Sequence, residues 1–131
     1  MKTLIVEDDF TSRLLMQELL KAYGPAHVAV NGKEAVQATR AALAAGEPYN
    51  LICLDIMMPE MDGQQALKEI RAAEEGCGVL STGGARIVMT TAVSNMKSVS
   101  AAFNSLCDAY LVKPIEKTKL LETLRQLGLL K

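Results

Sequence analysis

The chain has no tryptophan, one histidine and three cysteines, and only 4% of its 131 residues are aromatic. Cys53, Cys77 and Cys107 are odd in number, lie far apart and form no C-x-x-C pair. Neither a disulfide scaffold nor a cysteine-based zinc site is therefore expected, and the three side chains are interpreted as core or loop thiols.

Neither sign of charge is in clear excess, since 14 basic residues balance 15 acidic ones and the formal net charge is -1. This balance favours neither nucleic acid nor a membrane as a partner. No apolar run approaches the roughly 20 residues that a membrane-spanning helix needs. The first residues, Met1-Lys2-Thr3-Leu4, lack the pattern of a signal peptide. We therefore expect a cytoplasmic protein.

Half of the residues are hydrophobic, which is enough for one core, and we expect a single domain over residues 1–131. Short apolar runs alternate five times with helical patterns, which predicts an α/β fold: a five-stranded parallel sheet with helices on both faces. The predicted strands are Lys2–Val6, Val28–Val30, Tyr49–Asp55, Arg86–Thr90 and Ala109–Val112, and the fourth helix is predicted from about Asn95 to Ser105.

The segment from Glu75 to Gly84 is rich in glycine and shows little periodicity. It is interpreted as a long loop. A tolerated surface insertion is the favoured explanation, and a contact with a partner is the alternative. The sequence does not reveal its role.

Polar side chains follow four of the five predicted strands: the acids Glu7-Asp8-Asp9, then Asp55, Thr90-Thr91 and Lys113. The carboxyl ends of parallel strands form the usual site of such sheets. Clustered carboxylates need a neutralising cation, and without histidine or cysteine they are hard ligands suited to Mg²⁺. Pro114 keeps Lys113 extended. Metal, carboxylate, hydroxyl and ammonium together suit phosphoryl transfer.

Each of these residues also has a simpler interpretation. An aspartate at a strand end is usually a turn or helix cap, Thr91 can cap a helix, and Lys113 can be a solvated charge. Their joint occurrence at four strand ends favours a common site.

Four ordered motifs resemble the receiver domain of two-component response regulators. They are Glu7-Asp8, Asp55 within Asp-Ile-Met-Met-Pro-Glu-Met-Asp-Gly, Thr91-Ala92, and Tyr110-Leu-Val-Lys113-Pro114. The resemblance covers essentially the whole chain, and a stand-alone, chemotaxis-regulator-like protein is the type it suggests. It implies a (βα)5 flavodoxin-like receiver fold and a phospho-accepting role in signalling.

By this resemblance Asp55 accepts a phosphoryl group from a sensor histidine kinase or a histidine phosphotransfer protein. Asp8 and Asp55 are expected to bind Mg²⁺ directly. Met57 is expected to bind it through its backbone carbonyl, and Glu7 through a water molecule. The chain would catalyse only its own phosphorylation and dephosphorylation, so an enzyme acting on other substrates is not expected.

The resemblance also implies that Thr91 and Lys113 stabilise the phosphoryl oxygens. Thr91 and Tyr110 are expected to form a switch, in which Tyr110 turns inward and changes the face made by the fourth helix, the fifth strand and the fifth helix. A downstream protein would dock on that face. The simpler alternative is that Tyr110 only packs at the sheet edge.

The three consecutive acids leave open which two form the acidic pair. We favour Glu7-Asp8, because Arg13 then falls where the family often has an arginine on the first helix. Asp9 is then a neighbour or a helix cap. In the alternative, Asp8-Asp9 is the pair and Asp9 binds the metal.

Other functions are weaker candidates. The chain begins at Met1 and ends soon after the fifth predicted helix, which favours a stand-alone module over a receiver cut from a longer regulator or hybrid kinase. A Mg²⁺-dependent aspartyl-phosphate phosphohydrolase would normally carry an acid where Met57 stands. A flavodoxin-like module that only binds a ligand would leave Lys113 unexplained. The only histidine, His27, follows Gly24-Pro25 at the entrance to a strand and is not on an exposed helix face, which excludes a histidine kinase or a phosphotransfer protein.

Overall fold

The sheet has five parallel strands in the order β2-β1-β3-β4-β5. The computed structural model describes residues 1–58, 61–79, 83–92 and 107–130. The predicted fold class is confirmed. The strands are β1 (Thr3–Val6), β2 (Ala26–Ala29), β3 (Leu51–Asp55), β4 (Arg86–Thr91) and β5 (Ala109–Val112). The helices are α1 (Phe10–Leu20), α2 (Gly32–Ala44), α3 (Gly63–Gly76) and the C-terminal helix (Lys117–Gln126).

Helices cover both faces of the sheet because successive strand side chains point to opposite sides. On one face the core joins the sheet to α2 and α3, and on the other it joins the sheet to α1 and the C-terminal helix. The first core includes Leu4, Val6, Ile52, Leu54, Ile87, Met89, Val36, Leu67 and Ile70; the second includes Ile5, Cys53, Val88, Met16, Leu20, Leu120 and Leu124.

The sequence predicts the presence of each strand better than it predicts the residues at which the strands begin. β2 begins at Ala26, not at Val28, and β3 begins at Leu51, not at Tyr49. The reason is pairing with β1, because Thr3 stands opposite both Ala26 and Leu51. The predicted fourth helix at 95–105 lies outside the described residues.

The predicted loop from Glu75 begins too early, because α3 continues to Gly76. Two residues after the end of the helix, Gly78 has φ 80°, a conformation that glycine adopts without a steric penalty. The amide of Gly78 donates to Glu75 O at 2.9 Å, and that of Val79 donates to Glu74 O at 2.9 Å. This is the hydrogen-bond pattern of a Schellman cap, so the glycine that stops the helix is Gly78 and not Gly76.

The three cysteines all lie in the described residues, and none of them is in a disulfide. Cys53 is buried in the sheet, and burial raises its pKa to about 12. Cys77 is exposed and Cys107 is half-buried. Among the described residues, no helix is both long enough and apolar enough to cross a membrane.

Candidate functional site

The alternation of side chains along the strands brings three charged residues to one face. Glu7, Asp55 and Lys113 each stand two residues after a side chain of the core beneath α1 and the C-terminal helix. A spacing of two keeps a side chain on the same face of a strand. The core residues concerned are Ile5, Cys53 and Leu111.

Lys113 lies between the ends of β1 and β3. Its Nζ is 2.5 Å from Glu7 Oε1 and 3.4 Å from Asp55 Oδ2. Glu7 and Asp55 are only 4% and 5% exposed. Burial lowers the pKa of Lys113, but the hydrogen bond that its ammonium donates to Glu7 and the charges of both acids outweigh this effect, so the pKa is raised overall. Lys113 therefore carries its positive charge at neutral pH.

Three acids form a cluster suited to a metal ion. Glu7, Asp8 and Asp55 each offer a carboxylate oxygen, and these oxygens lie within 4.8 Å of one another. Burial raises the pKa of Glu7, and the neighbouring Asp55 raises it further, while Lys113 partly offsets both effects. Three carboxylates next to one ammonium leave an excess of negative charge. Hard oxygen donors and an exposed Asp8, where water has access, fit Mg²⁺.

Asp9 has a different task. Its Oδ2 accepts a hydrogen bond from the amide of Ser12 at 2.9 Å, which makes Asp9 the N-cap of α1. The hydrogen bonds from Ser12 lower its pKa. A capping carboxylate satisfies an amide that has no partner within the helix. The geometry thus favours Glu7-Asp8 as the acidic pair and Asp9 as the cap.

Arg13 supports the turn that carries the acids. Its NH1 donates to Glu7 O at 3.0 Å and to Asp8 O at 3.4 Å. The guanidinium thus ties α1 to the end of β1, and its charge lies near the acidic cluster. The sequence had indicated this position only through the resemblance.

Gly63 has a role that the sequence did not reveal. A Cβ atom at this position would stand 2.3 Å from Asp55 O, so no side chain fits. The amide of Gly63 donates to Ile56 O at 2.8 Å. The start of α3 therefore packs directly on the backbone that carries Asp55. The sequence signal for this position is the glycine that ends the Asp-Ile-Met-Met-Pro-Glu-Met-Asp-Gly motif.

Of the other predicted site residues, Thr91 ends β4, Met57 follows the end of β3 by two residues, and Tyr110 is the second residue of β5. Thr91 is buried at the end of β4, and its hydroxyl donates to Ala92 O at 3.1 Å. Its neighbour Thr90 stands opposite Asp55 in the sheet. The side chains of Met57 and Tyr110 are exposed.

A cavity of about 230 Å³ adjoins the site between α1 and the end of β5. Glu7 and Lys113 are the charged residues of its lining. On the same helix, Phe10 and Leu14 are exposed apolar residues, and Leu15 is both exposed and part of the cavity lining. The site thus borders an apolar surface on α1.

Comparison with known proteins gives consistent results. The family model for the response regulator receiver domain matches residues 3–125. The two-component response regulator ORR41 of Oryza sativa subsp. japonica is 36% identical over 122 residues, which cover 91% of this chain and 87% of that protein. The sensory/regulatory protein RpfC of Xanthomonas campestris pv. campestris is 30% identical over 131 residues, which cover 98% of this chain.

A solved structure shows the same fold. The receiver domain of the sensor histidine kinase PA1611 from Pseudomonas aeruginosa PAO1 is 26% identical, with a TM-score of 0.77 over 97% of both chains. In that crystal structure a magnesium ion is coordinated in the active-site cleft. The chain spans most of the rice regulator but only 16% of RpfC. The relatives therefore include both a short regulator and a much longer sensory protein.

Proposed function

Because the chain belongs to the response regulator receiver domain family, we propose that Asp55 is its phospho-acceptor. The observation that carries this proposal is the position of Asp55, which is nearly buried, lies 3.4 Å from the Lys113 ammonium and shares a cluster with Glu7 and Asp8. The donor is a phosphohistidine on a sensor histidine kinase or a histidine phosphotransfer protein.

In the proposed reaction an Asp55 oxygen attacks phosphorus while the phosphorus–nitrogen bond of the donor breaks. The products are an acyl phosphate and an imidazole, which takes up a proton. Lys113 already lies beside Asp55 and neutralises charge on the phosphoryl oxygens. The Thr91 hydroxyl leaves Ala92 O and donates to another of these oxygens. Such fixed charges and donors lower the barrier because they need no reorganisation during the reaction.

Mg²⁺ is the cofactor in this proposal. Asp8 and Asp55 would hold it directly, Met57 through its backbone carbonyl, and Glu7 through water. When bound, it would supply positive charge to the transferring phosphoryl group.

The proposal is tested by incubating the protein with acetyl phosphate and Mg²⁺ and measuring its intact mass. We expect a gain of one phosphoryl group that EDTA prevents and that mild alkali removes, as an acyl phosphate requires. A protein donor becomes the second arm of the test if the small donor gives no reaction. Absence of the mass gain with both donors would refute the proposal.

We further propose that residues 1–131 form a single receiver domain, whether it acts alone or within a longer regulator or hybrid kinase. The domain would catalyse only its own phosphorylation and dephosphorylation. The apolar Met57, two residues after Asp55, supports this, because a related phosphohydrolase would carry an acid there. Sustained turnover of an aryl phosphate would contradict it. The cytoplasmic location stays a prediction.

The donor protein is proposed to dock on the exposed apolar surface of α1. Phe10 and Leu14 are 66% and 46% exposed and belong to the helix that borders the site. We expect Leu14→Asp to slow transfer from a phosphohistidine protein about tenfold or more, because an interface core excludes charge. Labelling by acetyl phosphate should be unchanged. If the wild type and Leu14→Asp accepted the phosphoryl group from the protein donor at equal rates, this docking surface would be contradicted.

Signalling is proposed to pass through Thr91 and Tyr110 to a downstream protein on the face that includes β5. Tyr110 is 39% exposed here, so an inward turn would change the surface of β5. We expect beryllofluoride with Mg²⁺ to change the tyrosine fluorescence of the wild type, and the change to be lost in Tyr110→Phe. Constant fluorescence and constant amide shifts around Tyr110 would show that it does not respond to the phosphoryl site.

A further inference from the structure

A cluster of ion pairs lies at the opposite end of the sheet from the phospho-acceptor. Arg71 on α3 donates from NH1 to Glu74 Oε1 at 2.7 Å and to Ala85 O at 2.8 Å, and from NH2 to Asp108 Oδ2 at 3.0 Å. The side chains of Arg71 and Glu74 are 7% and 4% exposed. One guanidinium thus joins the end of α3, the segment before β4 and the segment before β5.

Asp108 also fixes the first residue pair between β4 and β5. Its amide donates to Ile87 O at 2.8 Å, and its Oδ2 accepts from the Ile87 amide at 2.8 Å. Both backbone polar groups of Ile87 are therefore bound by this single residue. The paired residues start directly after it, with Val88 opposite Ala109.

The other end of the same pairing carries the reactive lysine. Thr91 stands opposite Val112, and the Lys113 amide donates to Thr91 O at 2.7 Å. A slip of one residue would move Lys113 by about 3.3 Å along the strand and turn its side chain to the other face. Lys113 would then lose its contacts with Glu7 and Asp55. The register set at Asp108 therefore decides whether the ammonium reaches the acceptor.

We propose that Arg71 and Asp108 are positioning residues, which hold β5 in the register that presents Lys113 to Asp55. This inference rests on the proposed phospho-acceptor function. Arg71 suits the task because its planar guanidinium offers several donors in a fixed geometry, which defines one arrangement of its partners. Asp108 suits it because one carboxylate binds both the guanidinium and the backbone of β4.

Stability alone is a weaker explanation for this cluster. A buried ion pair gives little net stability, since desolvation of the charges offsets their attraction. β5 is also short, with four residues, and has β4 as its one neighbour in the described sheet. A short strand that pairs on one side only depends on specific interactions at its two ends to keep its register.

The test compares Asp108→Ala, Asp108→Asn and Arg71→Lys with the wild type, at a temperature where circular dichroism shows each protein to be folded. Asp108→Asn keeps an acceptor for Ile87 but loses the charge, so its effect should be the smaller of the two changes at Asp108. If Asp108→Ala does not fold, the other two variants carry the test. Glu18→Gln is the matched control, because it breaks the exposed pair of Glu18 with Lys21.

The first measurement is hydrogen exchange at the Lys113 amide, which does not depend on phosphorylation. We expect exchange to become at least about tenfold faster in Asp108→Ala, because the hydrogen bond to Thr91 O is weakened. Amides of β1 and the Glu18→Gln control should keep wild-type rates. Unchanged exchange at Lys113, or equal acceleration throughout the sheet, would overturn the inference.

The second measurement is a double-mutant cycle on the rate of phosphorylation by acetyl phosphate. Asp108→Ala should lower the rate about tenfold or more, since small displacements of a catalytic group are costly. In the Lys113→Ala background it should cause no further loss, because it acts through the lysine. If Asp108→Ala lowered the rate by the same factor in the wild type and in Lys113→Ala, Asp108 would not act by positioning Lys113. If the wild type is phosphorylated neither by acetyl phosphate nor by a phosphohistidine protein, the proposed function fails, and hydrogen exchange alone decides the register.

Discussion

Asp55→Asn is expected to abolish phosphorylation of the protein by acetyl phosphate. The side-chain amide of asparagine lacks the negatively charged oxygen that attacks phosphorus, so the rate of phosphorylation should fall at least about a thousandfold. The fold should be retained, because Asn has nearly the same shape and the change removes one carboxylate from beside Glu7, whose pKa that neighbour raises. Intact mass after incubation with acetyl phosphate and Mg²⁺ measures the effect.

Asp62→Asn is the matched control for that experiment. Asp62 is exposed and caps α3, where its Oδ1 accepts from the Gln65 amide at 2.9 Å. Asn is an equally good cap, so this variant should be phosphorylated like the wild type. If Asp55→Asn still gained a phosphoryl group and peptide mapping placed it on Asp8, the assignment of the acceptor would be wrong. If Asp62→Asn also failed to be phosphorylated, the loss in both variants would indicate damage to the segment between Asp55 and α3.

The presence and the parallel direction of the strands could be predicted because the sequence marks each strand locally and separates successive strands by helical patterns. β1 and β3 are apolar runs that end in acids, and β5 was predicted to the residue at Ala109–Val112. The start of β2 could not be predicted in this way. It is decided by the partner Thr3 in β1, which stands opposite Ala26, and a local pattern does not contain that pairing.

The composition of the acidic site was predictable for a related reason. The carboxyl ends of parallel strands lie at one edge of the sheet, so Glu7, Asp55 and Lys113 could be assigned to one site from the sequence. The contact between Arg71 and Asp108 could not. These residues are 37 positions apart, and they meet only through the way α3 packs against the sheet. Long-range contacts of this kind carry no local signal.

Replacement of Asp8 should weaken Mg²⁺ binding strongly, and replacement of the adjacent Asp9 should leave it nearly unchanged. Loss of a partner that only orients a metal ligand typically weakens metal binding 10–100-fold, so loss of a direct ligand should cost at least about 100-fold. Asp8→Asn is therefore expected to bind Mg²⁺ at least about 100-fold more weakly than the wild type. Calorimetric titration of the metal-free protein measures this.

Asp9→Asn provides the matched comparison, because Asn also accepts the hydrogen bond from the Ser12 amide and keeps the cap of α1. Its Mg²⁺ affinity should stay within about twofold of the wild type, since Asp9 is fully exposed to solvent and its charge is screened. Weakening in Asp9→Asn alone would make Asp8-Asp9 the acidic pair. Equal affinity in the wild type and both variants would show that neither Asp8 nor Asp9 is a metal ligand. The two variants thus separate a metal ligand from a helix cap at neighbouring positions.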